Sequence, residues 1–406
     1  MGQTAIEIAL AAAGLGTALL LFWPRLARAR LWRATITPLA SIIGSGFLIL
    51  GPILTDRFGT WGIAAMAALC LAGYLFGAAI RYNIVRLDDD AHGGVRETRL
   101  SIGLERISSW SLAFAYVISV AYYLNLFGAF AARIFGAPST LLARAITSGA
   151  YALILIAGLT RGFSLLERME QVTVSIKLII IAALIGALCV HAGIALDTGA
   201  LLESGPRMGP LAALQLMFGL IVTVQGFETS RYLGNHYSAS ERVASMRLSQ
   251  GIASAIYLAY VLLLAVSFKS GSFALNETAI IDMMRTVSAV LGPLLILAAL
   301  AAQFSAAVAD TNGSGGLVAE LTHRRFGMKP TYLVLIGAGL ALTWLADVFE
   351  IVSYASRAFA LYYAIQSALA AIRARDARAS SWRVTGYGAL ALLGLAAAVF
   401  GTSVEG

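Results

Sequence analysis

Two short stretches of the 406-residue chain set glycines beside polar groups inside long apolar runs. The first reads Ala40-Ser-Ile-Ile-Gly44-Ser45-Gly46-Phe-Leu-Ile-Leu-Gly51-Pro52. Glycine costs about 1 kcal/mol per helical position relative to alanine, so the cluster invites a helix to break. A break frees N–H and C=O groups, which a membrane tolerates only beside a cavity or inside protein. The competing reading is a small-residue face on which another helix packs. The second stretch, Val222-Thr-Val-Gln225-Gly226-Phe227-Glu228-Thr229-Ser230-Arg231, adds a carboxylate. Lipid cannot solvate such a group, so its default reading is functional. Glu228 would sense protons, cap the following helix or pair with Arg231. Together the two stretches offer recognition of a small polar solute by freed backbone groups, with an ionisable acid beside it. Arg357 is a further intramembrane charge, read either as an outer-gate partner or as a side chain snorkelling to the interface.

The elements that must position these residues are membrane helices. Of the chain, 59% is hydrophobic and 12% charged, against about 25% charged in soluble domains. The apolar residues form runs long enough for an α-helix to cross a hydrocarbon core of about 30 Å. They lack the period-two alternation of barrel strands, which leaves a helical bundle as the spanning architecture. Apolar windows fall near 5–23, 37–55, 60–80, 110–134, 145–160, 170–192, 211–230, 251–268, 288–311, 331–346, 351–370 and 384–402, or about twelve spans. Met1-Gly-Gln-Thr is uncharged, so the first run lacks the basic start of a signal peptide and reads as a retained span.

Alternate loops are rich in arginine: Arg25 to Arg33, Arg81 to Arg106, Arg324 to Lys329 and Arg373 to Arg383. The positive-inside rule then puts both termini on the non-cytoplasmic side of a plasma membrane, the inner membrane in a bacterium. The net charge of +8 follows from this topology, and basic residues scattered among loops argue against nucleic acid as a partner. The polar stretch from Arg81 to Ser109, with Asp88-Asp89-Asp90 among its arginines, reads as a solvated, partly amphipathic loop in preference to a metal site. Cys70 and Cys189 both fall inside spans, His191 falls at a span end, and His92, His236 and His323 fall in loops, so none is assigned as a ligand. No His-Glu-x-x-His, Gly-x-Ser-x-Gly or nucleotide-binding loop suggests an enzyme, and no cofactor is expected.

The interruptions at Gly44–Gly46 and Gly226 stand five spans apart, the spacing of two inverted five-helix repeats preceded by one extra helix. With Ile43-Gly44-Ser45-Gly46 in the first core helix, Ser175-Ile176-Lys177-Leu178 in the fifth and Gly226-Phe227-Glu228 in the sixth, the sequence resembles the amino acid-polyamine-organocation (APC) transporter superfamily. The resemblance covers roughly residues 34–372. It implies residues 34–192 and 193–372 as the two inverted repeats, with the first and sixth core helices broken. Residues 1–33 would form an extra helix and basic linker, and 373–406 a linker and final helix. It also implies secondary transport of a small amino acid, amine or related organic solute by alternating access.

Under that resemblance the backbone of Gly44, Ser45 and Gly46 would hold an anionic substrate group, since a half-helix N-terminus is partly positive. Carbonyls near Val224 to Gly226, beside Gln225, would receive an ammonium. Tyr122 and Tyr123 are candidate substrate-facing hydroxyls or packing aromatics. The usual aromatic gate position is Val222, and Phe218 one turn earlier would substitute for it. Sodium-coupled relatives imply a cation site from Ala40, Ile43, Ala307, Asp310 and Thr311, an oxygen set that suits a hard ion. Proton-coupled relatives instead place the fifth-helix lysine there. A protonated Lys177 and a bound sodium would repel in low dielectric, whereas a Lys177–Asp310 pair would neutralise itself. Such a pair would couple transport to protons or staple two helices together. The expected coupling residues are therefore Lys177, Asp310, Thr311 and Glu228, with a proton as the driving ion and sodium as the alternative. A receptor retaining the fold without transport is the third reading.

Overall fold

The structure, a computed structural model, describes residues 2–91, 98–136, 139–160, 164–197, 205–233 and 236–404, with backbone only at 45, 89–91 and 164–171. The side chains of Ser45, Asp89 and Asp90, together with His92 and Arg96, lie outside the described residues.

The described elements are all helical. An N-terminal helix α1 (Gly2–Leu21) and a short turn α2 (Pro24–Arg28) lead into α3 (Arg30–Phe58), α4 (Gly62–Ala91), α5 (Arg99–Ala132), α6 (Thr140–Thr160) and α7 (Ser164–Asp197). An interrupted segment follows: α8 (Pro210–Gly219), then 3-10 turns at Ile221–Val224 and Phe227–Leu233. The chain continues through α9 (Ala239–Ser267), short α10 (Ala279–Val287), α11 (Leu291–Leu321), α12 (Met328–Leu345), α13 (Val348–Asp376) and α14 (Ser381–Phe400). Among the described residues nine stretches are long and apolar enough to cross a membrane, one of them, Gly46–Asp88, joining the second half of α3 to α4. With those two separated, and with α13 and the interrupted segment added, twelve traversals result, as the apolar windows indicate.

Burial orders the bundle. The apolar window of α5 is 83% buried, against 17% for α1 and 11% for α14, so α5 is central and the two outermost helices in sequence are peripheral. The central helix packs on α11 and α13, α1 lies along α7, and α14 lies along α13. Two N-termini are locked by reciprocal capping boxes, Ser238 with Glu241 on α9 and Asp347 with Glu350 on α13, each satisfying two otherwise unpaired N–H groups.

Two expectations are corrected. The first core helix is not broken: α3 runs through Gly44 and Gly46 without interruption and carries Pro38 and Pro52 inside it. A Cβ on Gly46 would collide with Cα and Cβ of Thr223, and one on Gly44 would sit 3.3 Å from Lys177 Nζ. The glycines therefore let neighbours approach, which is the packing reading of the cluster. The Arg81–Ser109 stretch is likewise not a loop over most of its length, because α4 runs to Ala91 and α5 starts at Arg99. Within it Arg81, Asn83, Ser101 and Ser108 are buried against other helices.

Candidate functional site

The interruption expected at Gly226 is present. Gly226 has φ +117°, a backbone conformation that residues with a Cβ rarely adopt, and a Cβ there would also lie 2.5 Å from Ser41 Oγ and 2.6 Å from the Ile42 nitrogen. The chain can turn here only because it has glycine, and the turn rests directly on α3. Tyr257 on α9 pins the contact, its hydroxyl lying 2.8 Å from both the Ile42 and Thr223 carbonyls.

Around this turn the polar side chains are fully enclosed. Glu228 is 0% exposed, and its Oε2 accepts from the Gly226 amide at 2.9 Å and from the Tyr363 hydroxyl at 2.9 Å. Glu228 thus holds the turn rather than pairing with Arg231. Gln225 Nε2 donates to the Tyr123 hydroxyl at 2.6 Å, and Ser356 Oγ accepts from the Val222 amide at 3.0 Å. Tyr122 packs beside Tyr123 with ring centres 5.3 Å apart. Phe227 and Phe76 both stack on Tyr363, each with ring centres 5.2 Å from it. Two acceptors at the turn, Gln225 Oε1 and Glu228 Oε1, are buried and have no hydrogen-bond partner among the described residues. A buried acceptor left without a donor costs about 1–3 kcal/mol, and more when charged.

Lys177 and Asp310 are held by different helices. The buried Lys177 amine donates to the Ala40 carbonyl on α3 at 3.0 Å. The buried Asp310 carboxylate accepts a short hydrogen bond from Ser119 on α5. Thr311 Oγ1 donates to the Ala307 carbonyl at 2.7 Å. A small cavity of about 20 Å³ lies between α3, α7 and α11, lined by Ile43, Gly44, Phe47, Lys177, Ala302 and Gln303 among others. Gln303 Oε1 there has no partner among the described residues. The cavity has a cation on one wall and an unsatisfied acceptor on another.

Charged clusters close both ends of the bundle. At the end carrying the arginine-rich connections, Arg231 is bonded to Glu105 and Gln366, and Arg373 Nη2 reaches the second Glu105 oxygen at 3.3 Å. Gln366 also donates to Ser108 at 2.7 Å and accepts from Asn83 at 2.8 Å, so α4, α5, α13 and the 227–233 turn meet at one point. At the opposite end Arg133 of α5 pairs with Asp282 of α10, and Arg207 reaches Asp56 at 3.1 Å. Arg357 is exposed, and its Nε donates to the Ala398 carbonyl at 2.8 Å, capping the last turn of α14. Sequence reasoning missed Ser119, Tyr257, Tyr363 and Glu105. The adjacent pair Tyr362–Tyr363, mirroring Tyr122–Tyr123 in another apolar run, was a usable signal for one of them.

A sequence profile described as APC superfamily transporter matches residues 24–401. An uncharacterized protein of Aquifex aeolicus (strain VF5) is 42% identical over 350 residues, spanning 86% of this chain and 85% of that one. A crystal structure of a manganese transporter from Eremococcus coleocola, in a single-residue mutant form, superposes with a TM-score of 0.56 over 93% of this chain and 87% of the other, at 14% identity. That likeness concerns the fold alone.

Proposed function

Because the chain belongs to the APC superfamily of transporters, we propose that it carries a small amine-bearing organic solute, such as an amino acid or amine, by proton-coupled alternating access. The observation that carries this reading is the pair of unpartnered acceptors, Gln225 Oε1 and Glu228 Oε1, flanking the turn at Gly226. An ammonium group brings three donors to such a place and relieves the unmet hydrogen bonds. Tyr123 and Tyr363 hold the two side chains from opposite helices, so the acceptors are fixed before the solute arrives. The substrate position lies between the turn and α3 at Gly44–Gly46. Since Thr223 rests on Gly46 there, binding requires the two elements to part.

The proton is favoured over sodium by one contact. Ala40, a carbonyl in the sodium reading, is already engaged by the Lys177 amine. A cation brought to the same oxygen would meet a like charge in low dielectric. Proton transfer at Lys177, Glu228 or Asp310 changes the charge inside the bundle and supplies the coupling step. Manganese, carried by the Eremococcus coleocola protein, is a divalent ion suited to oxygen ligands, and the same assay discriminates against it.

The test is uptake into proteoliposomes of radiolabelled amino acids, amines, carboxylates and manganese, with proton and sodium gradients imposed in turn. Proton-driven accumulation of an amine-bearing solute supports the reading. Accumulation driven by sodium alone, or of carboxylates or manganese in preference to amines, overturns it, and the absence of flux under every gradient favours a receptor.

A further inference from the structure

Arg81 is 5% exposed, sits where α4 runs on past its apolar stretch, and hydrogen-bonds only to neutral groups. Its Nη1 donates to Gln250 Oε1 on α9 at 2.5 Å and its Nη2 to the Tyr74 carbonyl at 3.2 Å, while the guanidinium lies 4.6 Å from the Tyr74 ring centre. None of the ion pairs among the described residues includes it. The arrangement is built for the cation. Gln250 is fixed in orientation because its Nε2 donates to the Gly73 carbonyl at 2.7 Å, which turns its oxygen to Arg81. Gly77 leaves the space, since a Cβ there would lie 2.9 Å from Arg81 Nη1. A buried arginine is expensive unless an anion answers it, and Arg231 at the same end of the bundle has Glu105 for that purpose.

Among the described residues the charged group that acts on Arg81 is another cation. Exposed Arg247 on α9 acts on Arg81 electrostatically as a like charge. Half-buried Tyr387 on α14 lies within the field of both Arg81 and exposed Arg383, and its ring centre is 5.4 Å from that of Tyr82. Trp382, 71% exposed at the start of α14, has the amphipathic character of a side chain resting at headgroup depth. Around buried Arg81, α9 thus contributes Arg247, one turn before Gln250, and α14 contributes Arg383 and Tyr387, with Trp382 beside them in sequence. This group lies at the arginine-rich end of the bundle, where anionic lipid is encountered.

We propose that the face made by Arg81, Arg247, Arg383 and Tyr387 seats the phosphate of an anionic phospholipid. Arg247, Arg383 and the Tyr387 hydroxyl make the direct contacts, and Arg81 supplies unbalanced charge from beneath. The occupant is a lipid because Trp382 and the apolar flanks of α4, α9 and α14 continue the site into the hydrocarbon, where a soluble anion gains nothing.

The test uses the full chain purified in detergent, with phosphatidylglycerol, phosphatidylcholine and inorganic phosphate as probes. Native mass spectrometry counts lipid adducts and thermal unfolding reads stabilisation. Phosphatidylglycerol is expected to bind and stabilise, and Arg247→Gln and Arg383→Gln each to lower its affinity about fivefold, the effect of about 1 kcal/mol per basic residue. Both residues are exposed, so these variants fold even where Arg81→Gln does not. Arg25→Gln, at an exposed position elsewhere on the same end, is expected to leave binding unchanged. Equal phosphatidylglycerol affinity in the parent and the Arg247→Gln/Arg383→Gln double variant overturns the proposal. So does an equal loss in Arg25→Gln, or stabilisation by inorganic phosphate matching that of the lipid.

Discussion

The Lys177 amine donates a 3.0 Å hydrogen bond to the Ala40 carbonyl, fastening α7 to α3 inside the bundle. The contact is available because Gly44, one turn along α3, leaves room for the amine. Lys177→Met keeps the length of the side chain and removes the charge. A buried charge carries a desolvation cost that offsets much of its bond, so we expect thermal stability to change by no more than about 1 kcal/mol. Solute accumulation against a gradient is expected to be lost while exchange of labelled for unlabelled solute persists. Proteoliposome uptake and exchange assays, run side by side, check the separation.

Asp310 and Ser119 give a second separation of structure from coupling. An amide oxygen accepts from the Ser119 hydroxyl as a carboxylate does, so Asp310→Asn is expected to keep the α5–α11 bond. Ser119→Ala leaves the buried carboxylate without that donor and should destabilise by about 1–3 kcal/mol. We expect Asp310→Asn to unfold at nearly the parent temperature yet to lose its response to an imposed pH gradient. Should the variant instead lose a sodium dependence present in the parent, Asp310 is a cation ligand and the proton reading fails.

Glu105 answers two arginines at once, Arg231 and Arg373, whereas each arginine also has its own surroundings. Arg231 keeps Gln366 as a second partner. Removing a carboxylate from a buried network leaves uncompensated charge behind and costs about 3–5 kcal/mol. Glu105→Gln is therefore expected to destabilise more than Arg373→Gln. Because the cluster joins α4, α5, α13 and the 227–233 turn at one end, the variant should also open that end more often. Faster labelling of a cysteine placed at Ser108, with and without Glu105→Gln, measures the opening.

These residues show where the sequence was legible. Long apolar runs fixed the traversals, because a span of lipid demands about 20 consecutive apolar residues whatever the partners. The turn at Gly226 was legible for a similar reason, since a carboxylate inside such a run needs donors and a neighbouring glycine lets the backbone turn to supply them. Gly44–Gly46 was ambiguous, because a missing Cβ serves both a broken helix and a close approach, and only the position of Thr223 decides between them. Glu105 and Arg81 read as loop charges since sequence alone does not say that α4 and α5 extend past the apolar run into a packed polar end. Ser119 and Tyr363 depend on which helix faces which, information absent from any single segment.

The turn at Gly226 gives the sharpest contrast among substitutions of one type. At φ +117° an alanine is strained, and its Cβ meets the backbone of Ser41 and Ile42, which cannot move without shifting α3. Strain of this kind costs about 1–3 kcal/mol before the clash is added. Gly149 on α6 and Gly251 on α9 are helical and open, with nothing within 4 Å of an added Cβ. Alanine there gains helix propensity of up to about 1 kcal/mol. We therefore expect Gly226→Ala to lower the unfolding temperature and abolish uptake, and Gly149→Ala and Gly251→Ala to hold or raise that temperature with uptake intact. If Gly226→Ala transports at the parent rate, α3 does not rest on a glycine-dependent turn and the acceptors at Gln225 and Glu228 are not the place where solute binds.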